Sequence, residues 1–327
     1  MIISKTPLRM SFVGGGSDLP AFYERQPGAV ITTTIDKYVY VTVNKKFDDH
    51  VRLSYSETEN VENVDQIKHP IVKAVLKRLN IPGGIEITSI GDIPSKGTGL
   101  GSSSAFTVGL INALKVYQEQ KFSSPHDLAD QASEVEIKDL GEPIGKQDQY
   151  GVAFGGLKFL QFHSDGQVSV DHVICSRKVK EDLDNNILML YTGLARPAAS
   201  VLTQQKNNLE SDQHKVNTMK KMVQLAHDLY QQLQKDNLDA FGEILHANWM
   251  YKKEMADNLS NPAIDEWYSV GRQHGALGGK ILGAGAGGFL IFYAPQERHQ
   301  EIKAALPHLK PVDFKFENNG SQIIFIH

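Results

Sequence analysis

A single cysteine, Cys175, stands in a chain of 327 residues. One thiol forms no intrachain disulfide and no cysteine-rich zinc site, and it suits a reducing compartment. Cationic excess is missing too: 34 Lys+Arg stand against 38 Asp+Glu, a net charge of -4. Without a broad positive field, nucleic acid is not an expected partner. No run reaches the roughly 20 apolar residues of a membrane helix, so no membrane partner is expected. Met1 to Lys5 lacks the apolar core and cleavage site of a signal peptide, and a cytoplasmic location is expected. The twelve histidines show no metal-ligand spacing. Repeats and low-complexity tracts are absent. Glycine is what the chain has in surplus, with 28 residues against the usual share of about 7%. A hydrophobic fraction of 41% supports a packed core, and the length fits two domains of roughly 100–200 residues each.

Residues 1–13 read as a strand running into Gly14-Gly15-Gly16, and the Val-, Ile-, Thr- and Tyr-rich stretch 29–43 reads as strands. Pro70 to Leu79 has helical spacing, and Ile85 to Thr88 a short strand. An apolar helix is expected from Ala105 to about Tyr117. Ser124, Pro125 and Asp127 form a helix start, with the helix reaching about Leu140. A domain boundary is placed at Asp184, giving 1–184 and 185–327. Beyond it come a strand at 187–191 and an amphipathic helix through Met222, Ala226, Leu229 and Leu233. Strands at 289–293 and 323–326 flank a helix near 297–306. Such alternation indicates an α/β (α+β) architecture in two halves.

Four segments carry chemistry. Pro94-Ser95-Lys96-Gly97-Thr98-Gly99-Leu100-Gly101-Ser102-Ser103-Ser104 leads directly into the apolar helix. Free amides at a helix N-terminus, with glycines that let the backbone approach closely, suit phosphate. The serine hydroxyls suit phosphate oxygens or Mg²⁺. It is neither a Walker A loop nor the Rossmann fingerprint, which removes a dehydrogenase. In the second segment, Arg9 is a lone charge in an apolar strand, and Asp18 follows the triple-glycine turn. The third is the run Gly278 to Gly288, dense enough in glycine for a tight turn or a close approach to ligand. The fourth joins Glu134 and Glu136 on a helix to the loop Gly145-Lys146-Gln147-Asp148. Structural readings exist for each: a flexible linker, an edge ion pair, a helix cap, a hairpin turn.

Taken in this order, the four segments resemble the GHMP kinase superfamily, which includes galactokinase, homoserine kinase, mevalonate kinase and phosphomevalonate kinase. The middle segment has its P-x-x-G-x-G-L-G-S-S pattern, and the resemblance spans Pro7 to Phe292. A narrower resemblance joins "PLRMSFVGGGSDLP", "GTGLGSSSAF", "PIGKQDQYGVAFGGL" and "GGKILGAGAGGFLIFY" to the D-glycero-D-manno-heptose 7-phosphate kinases, with fucokinase domains as neighbours. Gly15 and Gly16 stand where galactokinases carry Glu and His, which argues against galactose and implies a wider pocket.

The resemblance implies an N-terminal ribosomal protein S5 domain 2-like domain and a C-terminal ferredoxin-like domain, with the site between them. It implies ATP and Mg²⁺, and phosphorylation of the anomeric hydroxyl of a sugar phosphate for surface-polysaccharide synthesis. A fucose-type or other sugar 1-kinase is the alternative; a non-catalytic sugar sensor conflicts with the presence of Arg9, Glu136 and Asp148. Pro94, Gly97, Thr98, Gly99, Leu100, Gly101, Ser102, Ser103 and Ser104 are the nucleotide residues. Ser103 or Ser104, with Glu136, would hold Mg²⁺. Asp148 would act as base or orient the hydroxyl, and Arg9 would stabilise the transferring phosphoryl. Asp18, Gly15, Gly16, Ser17, Gln147, Arg196, Gly283, Gly285 and Gly287 are the substrate candidates. Lys252 and Lys253, on a helix upstream of the third segment, are within reach of a substrate anion but read chiefly as solvated lysines. A homodimer is compatible with the sequence.

Overall fold

The structure, a computed structural model, describes the chain except residues 95–96, 121–123, 195–197, 258 and 286. The first half contains β1 (Ile2–Val13), α1 (Pro20–Tyr23), β2 (Gly28–Lys45), β3 (Val51–Ser54), β4 (Thr58–Val61), α2 (Pro70–Arg78) and β5 (Ile85–Gly91). It continues with α3 (Ser102–Tyr117), α4 (Pro125–Ser133), α5 (Gln147–Phe154), β6 (Lys158–Phe162), β7 (Val168–His172) and α6 (Arg177–Asn185). The second half contains β8 (Ile187–Tyr191), α7 (Ala198–Ser211), α8 (Gln213–Gln234), α9 (Phe241–Glu254) and α10 (Pro262–Gln273). After these come β9 (Gly278–Ile281), β10 (Phe289–Tyr293), α11 (His299–Ala305), β11 (Lys310–Pro311), β12 (Phe316–Glu317) and β13 (Gln322–Ile326).

Among the described residues nine strands form one sheet along β13-β1-β2-β5-β3-β4, with β6 and β12 also on β2 and β7 on β6. β2 is one strand of 18 residues, where the composition suggested several. The second sheet runs β11-β8-β10-β9 and is antiparallel throughout. In chain order that is fourth, first, third, second, the ferredoxin-like arrangement. β10 is buried on both faces. Its alternating side chains divide accordingly: Phe289, Ile291 and Tyr293 join the large central core, and Leu290 and Phe292 join Trp249 and Tyr268 on the far side.

α3 is apolar almost all round, and a helix of that composition must be buried. It packs against β1 and β2. That position holds its N-terminus, and the glycine loop before it, over the sheet. The helix expected from Ser124 begins as read: Ser124 Oγ accepts from Asp127 N at 3.1 Å. It gives way at Glu134–Asp139 to a π-helical turn, which contains Glu136.

The boundary placed at 184/185 lies in the last turn of α6, ahead of the first strand of the second sheet. The C-terminal end does not stay with the second half, however. β12 pairs with β2 and β13 with β1, both antiparallel, so residues 316–326 return to the first sheet. A short strand needs an edge partner, and β1 offers one.

A break in β1 ties the halves together. The β1–β2 register shifts between Ser11 and Val13, which withdraws backbone groups from the ladder. Lys280 Nζ, on β9, donates to the Ser11 and Phe12 carbonyls at 2.8 and 3.0 Å. Asn248 Oδ1, on α9, accepts from Gly14 N at 3.0 Å. Burial holds the Lys280 ammonium well below the usual lysine range; charged or neutral, it has N–H groups to give. Replacing it, Lys280→Met, strands two buried carbonyls and should cost about 2 kcal/mol. A lower denaturant midpoint in urea is the expected reading, and an unchanged midpoint contradicts the clasp.

Candidate active site

A cavity of 420 Å³ lies where the two sheets meet, lined by Arg9, Ser11, Gly15, Asp18, the 97–104 loop, Glu136, Gln147, Asp148, Lys252, Lys280 and Gly283. β1 supplies its floor. Arg9 is buried there, as a lone charge in an apolar strand must be if it is partnered. Its Nε and Nη2 donate to Asp148 Oδ1 and Oδ2 at 2.7 and 2.6 Å, a bidentate pair. Nη1 donates to the Gly99 carbonyl at 2.6 Å, and Arg9 N donates to the Leu100 carbonyl at 3.0 Å. One arginine therefore fixes α5 and the glycine loop to β1. Each guanidinium nitrogen gives one N–H to the protein, and a guanidinium has five, so two are left to face a ligand in the cavity that Arg9 lines.

Gly101 caps α3 in the left-handed region, φ 73°, a conformation that favours glycine. The first-turn amides of α3 then face the cavity without intrahelical partners. Thr98, Gly97, Gly99, Gly101 and Ser102 to Ser104 line it; Pro94 is exposed outside it and Leu100 is buried in the core. Gly283 faces Gly99 so closely that a side chain at either would strike the other's backbone. Gly285 and Gly287 pack on Leu259 and Leu194, and the cavity lining in this run is Gly283 and Ala284.

Glu136 is buried at the other end. Its carboxylate accepts from Ser104 Oγ at 2.8 Å, Thr107 Oγ1 at 3.0 Å and Ser103 Oγ at 3.2 Å, and from Gln149 Nε2. Burial raises its pKa against these donors. The donor set is one carboxylate with serine hydroxyls at the cavity wall. It fits a hard cation that takes its other ligands from phosphate and water.

Asp18 is buried too, and its carboxylate accepts from Gly16 N at 2.9 Å, Gln147 Nε2 at 3.0 Å and Gln147 N at 3.2 Å. Burial, and then the Asp148 charge, push its pKa up. Ser11 Oγ and Gln147 Oε1 are buried without hydrogen-bond partners. Both side chains face Gly15, where a Cβ would lie 3.4 Å from Ser11 Oγ and 3.6 Å from the Gln147 amide. That corner is open and polar. Gly16 lines the cavity too, but a Cβ there would lie 2.1 Å from Gln205 Nε2, so the buried Gln205 fills the space in the direction a side chain would take. Ser17 is fully buried and is not part of the cavity lining: its hydroxyl donates to the Gly14 carbonyl at 2.8 Å and accepts from Ala29 N at 3.0 Å. Arg196 lies outside the described residues.

Three lining residues were missed or misread in the sequence. Lys252 is buried in the cavity wall, whereas Lys253 pairs with Asp265 at the surface. Lys280 is a lone charge in an apolar strand, the same signal that singled out Arg9. Ser11 carried no signal beyond its place two residues after Arg9.

Known proteins match this arrangement in sequence and in fold. Residues 66–156 match the GHMP kinases N terminal domain and residues 229–310 the GHMP kinases C terminal domain. The D-glycero-alpha-D-manno-heptose 7-phosphate kinase of Campylobacter jejuni is 30% identical over 98% of this chain and 97% of its own. The chain belongs to the GHMP kinases. It is a GHMP sugar kinase, a phosphotransferase acting on a hydroxyl group with ATP as donor. The crystal structure of a D-glycero-D-manno-heptose 1-phosphate kinase from Bacteroides thetaiotaomicron covers 100% of both chains, with 25% identity and a TM-score of 0.83. The bifunctional fucokinase/GDP-fucose pyrophosphorylase of Arabidopsis thaliana is 24% identical over 95% of this chain, which spans 32% of that protein. No helix among the described residues is long and apolar enough to cross a membrane.

In this GHMP kinase the Arg9–Asp148 pair is the joint of the site. A double-mutant cycle with Arg9→Met and Asp148→Asn should show a coupling of about 2 kcal/mol in unfolding free energy. Additive effects would mean that the pair is not formed.

Proposed function

We propose that this kinase transfers the γ-phosphoryl of ATP to the anomeric hydroxyl of D-glycero-D-manno-heptose 7-phosphate, giving the 1,7-bisphosphate. The observation that carries the reading is the placement of Asp148. Its carboxylate sits in the cavity with the glycine loop on one side and Asp18 on the other, locked by Arg9. The amides of residues 97–102 receive the nucleotide phosphates at the α3 N-terminus. Asp18, Gln147 and Ser11 receive sugar hydroxyls in the open corner at Gly15. The narrower choice of sugar rests on the full-length likeness to the Campylobacter jejuni enzyme.

Mg²⁺ would be held by Glu136 with Ser103 or Ser104, and would neutralise phosphate charge when bound. Asp148 is held in place by its bidentate pair with Arg9. Phosphoryl transfer through a loose transition state needs little proton removal early on, so Asp148 orients the hydroxyl and takes its proton late. The product suits activation to a nucleotide-linked heptose for surface polysaccharide, in the cytoplasm where ATP is at hand.

ADP release should be fast with heptose 7-phosphate and slow with mannose, fucose, galactose and N-acetylhexosamines. Turnover of fucose alone would replace the substrate while sparing the mechanism. Asp148→Asn should keep nucleotide affinity and lose roughly two or more orders of magnitude in kcat. Undiminished turnover would remove Asp148 from the chemistry. Glu136→Gln should weaken ATP binding about tenfold in Mg²⁺ and leave it unchanged in EDTA. Equal binding in Mg²⁺ would place the cation elsewhere.

A further inference from the structure

Three basic side chains reach the cavity from different elements: Arg9 from β1, Lys280 from β9 and Lys252 from α9. Two of them have partners in the protein. Arg9 gives an N–H from each guanidinium nitrogen to Asp148 or the Gly99 carbonyl. Lys280 gives two N–H groups to the broken stretch of β1. Lys252 is 4% exposed, and its ammonium has no hydrogen-bond or ion-pair partner among the described residues. A buried ammonium with three free donors is costly unless a ligand completes it.

The charges around it say where that ligand lies. Lys252 feels Asp18 of the glycine turn most strongly, then Arg9 of β1 and Asp148 of α5, with Lys280 of β9 also in range. These groups line one cavity with the glycine loop, and on the sugar-kinase reading the γ-phosphate comes from the loop and the acceptor hydroxyl from Asp148. An acceptor's own distant phosphate would there meet two carboxylates. The transferring phosphoryl, by contrast, must pass from loop to hydroxyl.

We propose that Lys252 is a further catalytic residue, whose ammonium donates to the oxygens of the phosphoryl group in transit. This rests on the sugar-kinase reading of the cleft. In the step, the acceptor oxygen bonds to the γ-phosphorus and the bond to the β-phosphate oxygen breaks. The electron pair leaves on ADP, and the hydroxyl proton goes to Asp148. Lys252 keeps its protons and balances the phosphoryl charge. Burial lowers its pKa to about 8, so the cation is present at neutral pH and is lost as pH rises through that value.

Lys252→Met preserves volume without the charge, and Lys252→Arg restores a charge that does not titrate. Three readouts are taken beside the wild type: steady-state kinetics, binding of ADP alone, and binding of ADP with aluminium fluoride, a mimic of the phosphoryl in transit. Lys252→Met should bind ADP normally, which shows a folded nucleotide site. It should lose about 100-fold in kcat with the sugar KM nearly unchanged, for phosphorylated and unphosphorylated acceptors alike. Binding of the aluminium fluoride complex should fall by a similar factor. Wild-type kcat should decline above about pH 8, and Lys252→Arg, partly active, should not. A rise in KM confined to phosphorylated acceptors would overturn the proposal in favour of an anchor for the acceptor's phosphate. Unaltered aluminium fluoride binding would also overturn it. Wild type inactive on every sugar would refute the sugar-kinase reading, while the aluminium fluoride comparison would still decide the role of Lys252.

Discussion

A guanidinium buried in an apolar strand needs hydrogen-bond partners, and Arg9 finds them by gathering the site around itself. Its partners come from α5 and from the loop ahead of α3, segments far apart in sequence. Each N–H that Arg9 gives to Asp148 or Gly99 fixes that group relative to β1. The orientation of Asp148 is thus set before any ligand arrives. Preorganisation of this kind lowers the reorganisation needed during reaction.

The same requirement governs the other buried charges. Lys280 is satisfied by carbonyls that the irregularity in β1 sets free, and so holds the second sheet against the first. Glu136 is satisfied by hydroxyls of α3 and the amide of Gln149. Asp18 is satisfied by backbone and amide N–H groups. A chain with net charge -4 thereby holds an anion cleft without a basic surface. Local amides and a few buried cations do the work that a broad field does elsewhere.

Much of this was legible from residues alone, because the informative features are local. The glycine-serine loop running into an apolar helix, the lone Arg9, and the Ser124 cap each have a short-range physical meaning. The ferredoxin-like order came from the resemblance, since strand pairing is long-range; for the same reason the return of β12 and β13 to the first sheet was not foreseen. Gly16 misled because an absent side chain shows neither who fills the space nor that Gln205 does. Lys252 was misread although the signal was present. Phe241, Leu245, Asn248 and Trp249 repeat at helical spacing, and Lys252 falls on their face, whereas Lys253 is turned about 100° away from it.

The account turns on the cleft between the 97–104 loop and the Arg9–Asp148 pair being where phosphoryl donor and acceptor meet. A crystal structure of the chain with a non-hydrolysable ATP analogue, Mg²⁺ and heptose 7-phosphate tests that directly. The predicted result is a γ-phosphate against the amides of the loop, with the anomeric hydroxyl within hydrogen-bonding reach of Asp148. A γ-phosphate bound away from that loop, or a different sugar hydroxyl at Asp148, would contradict it.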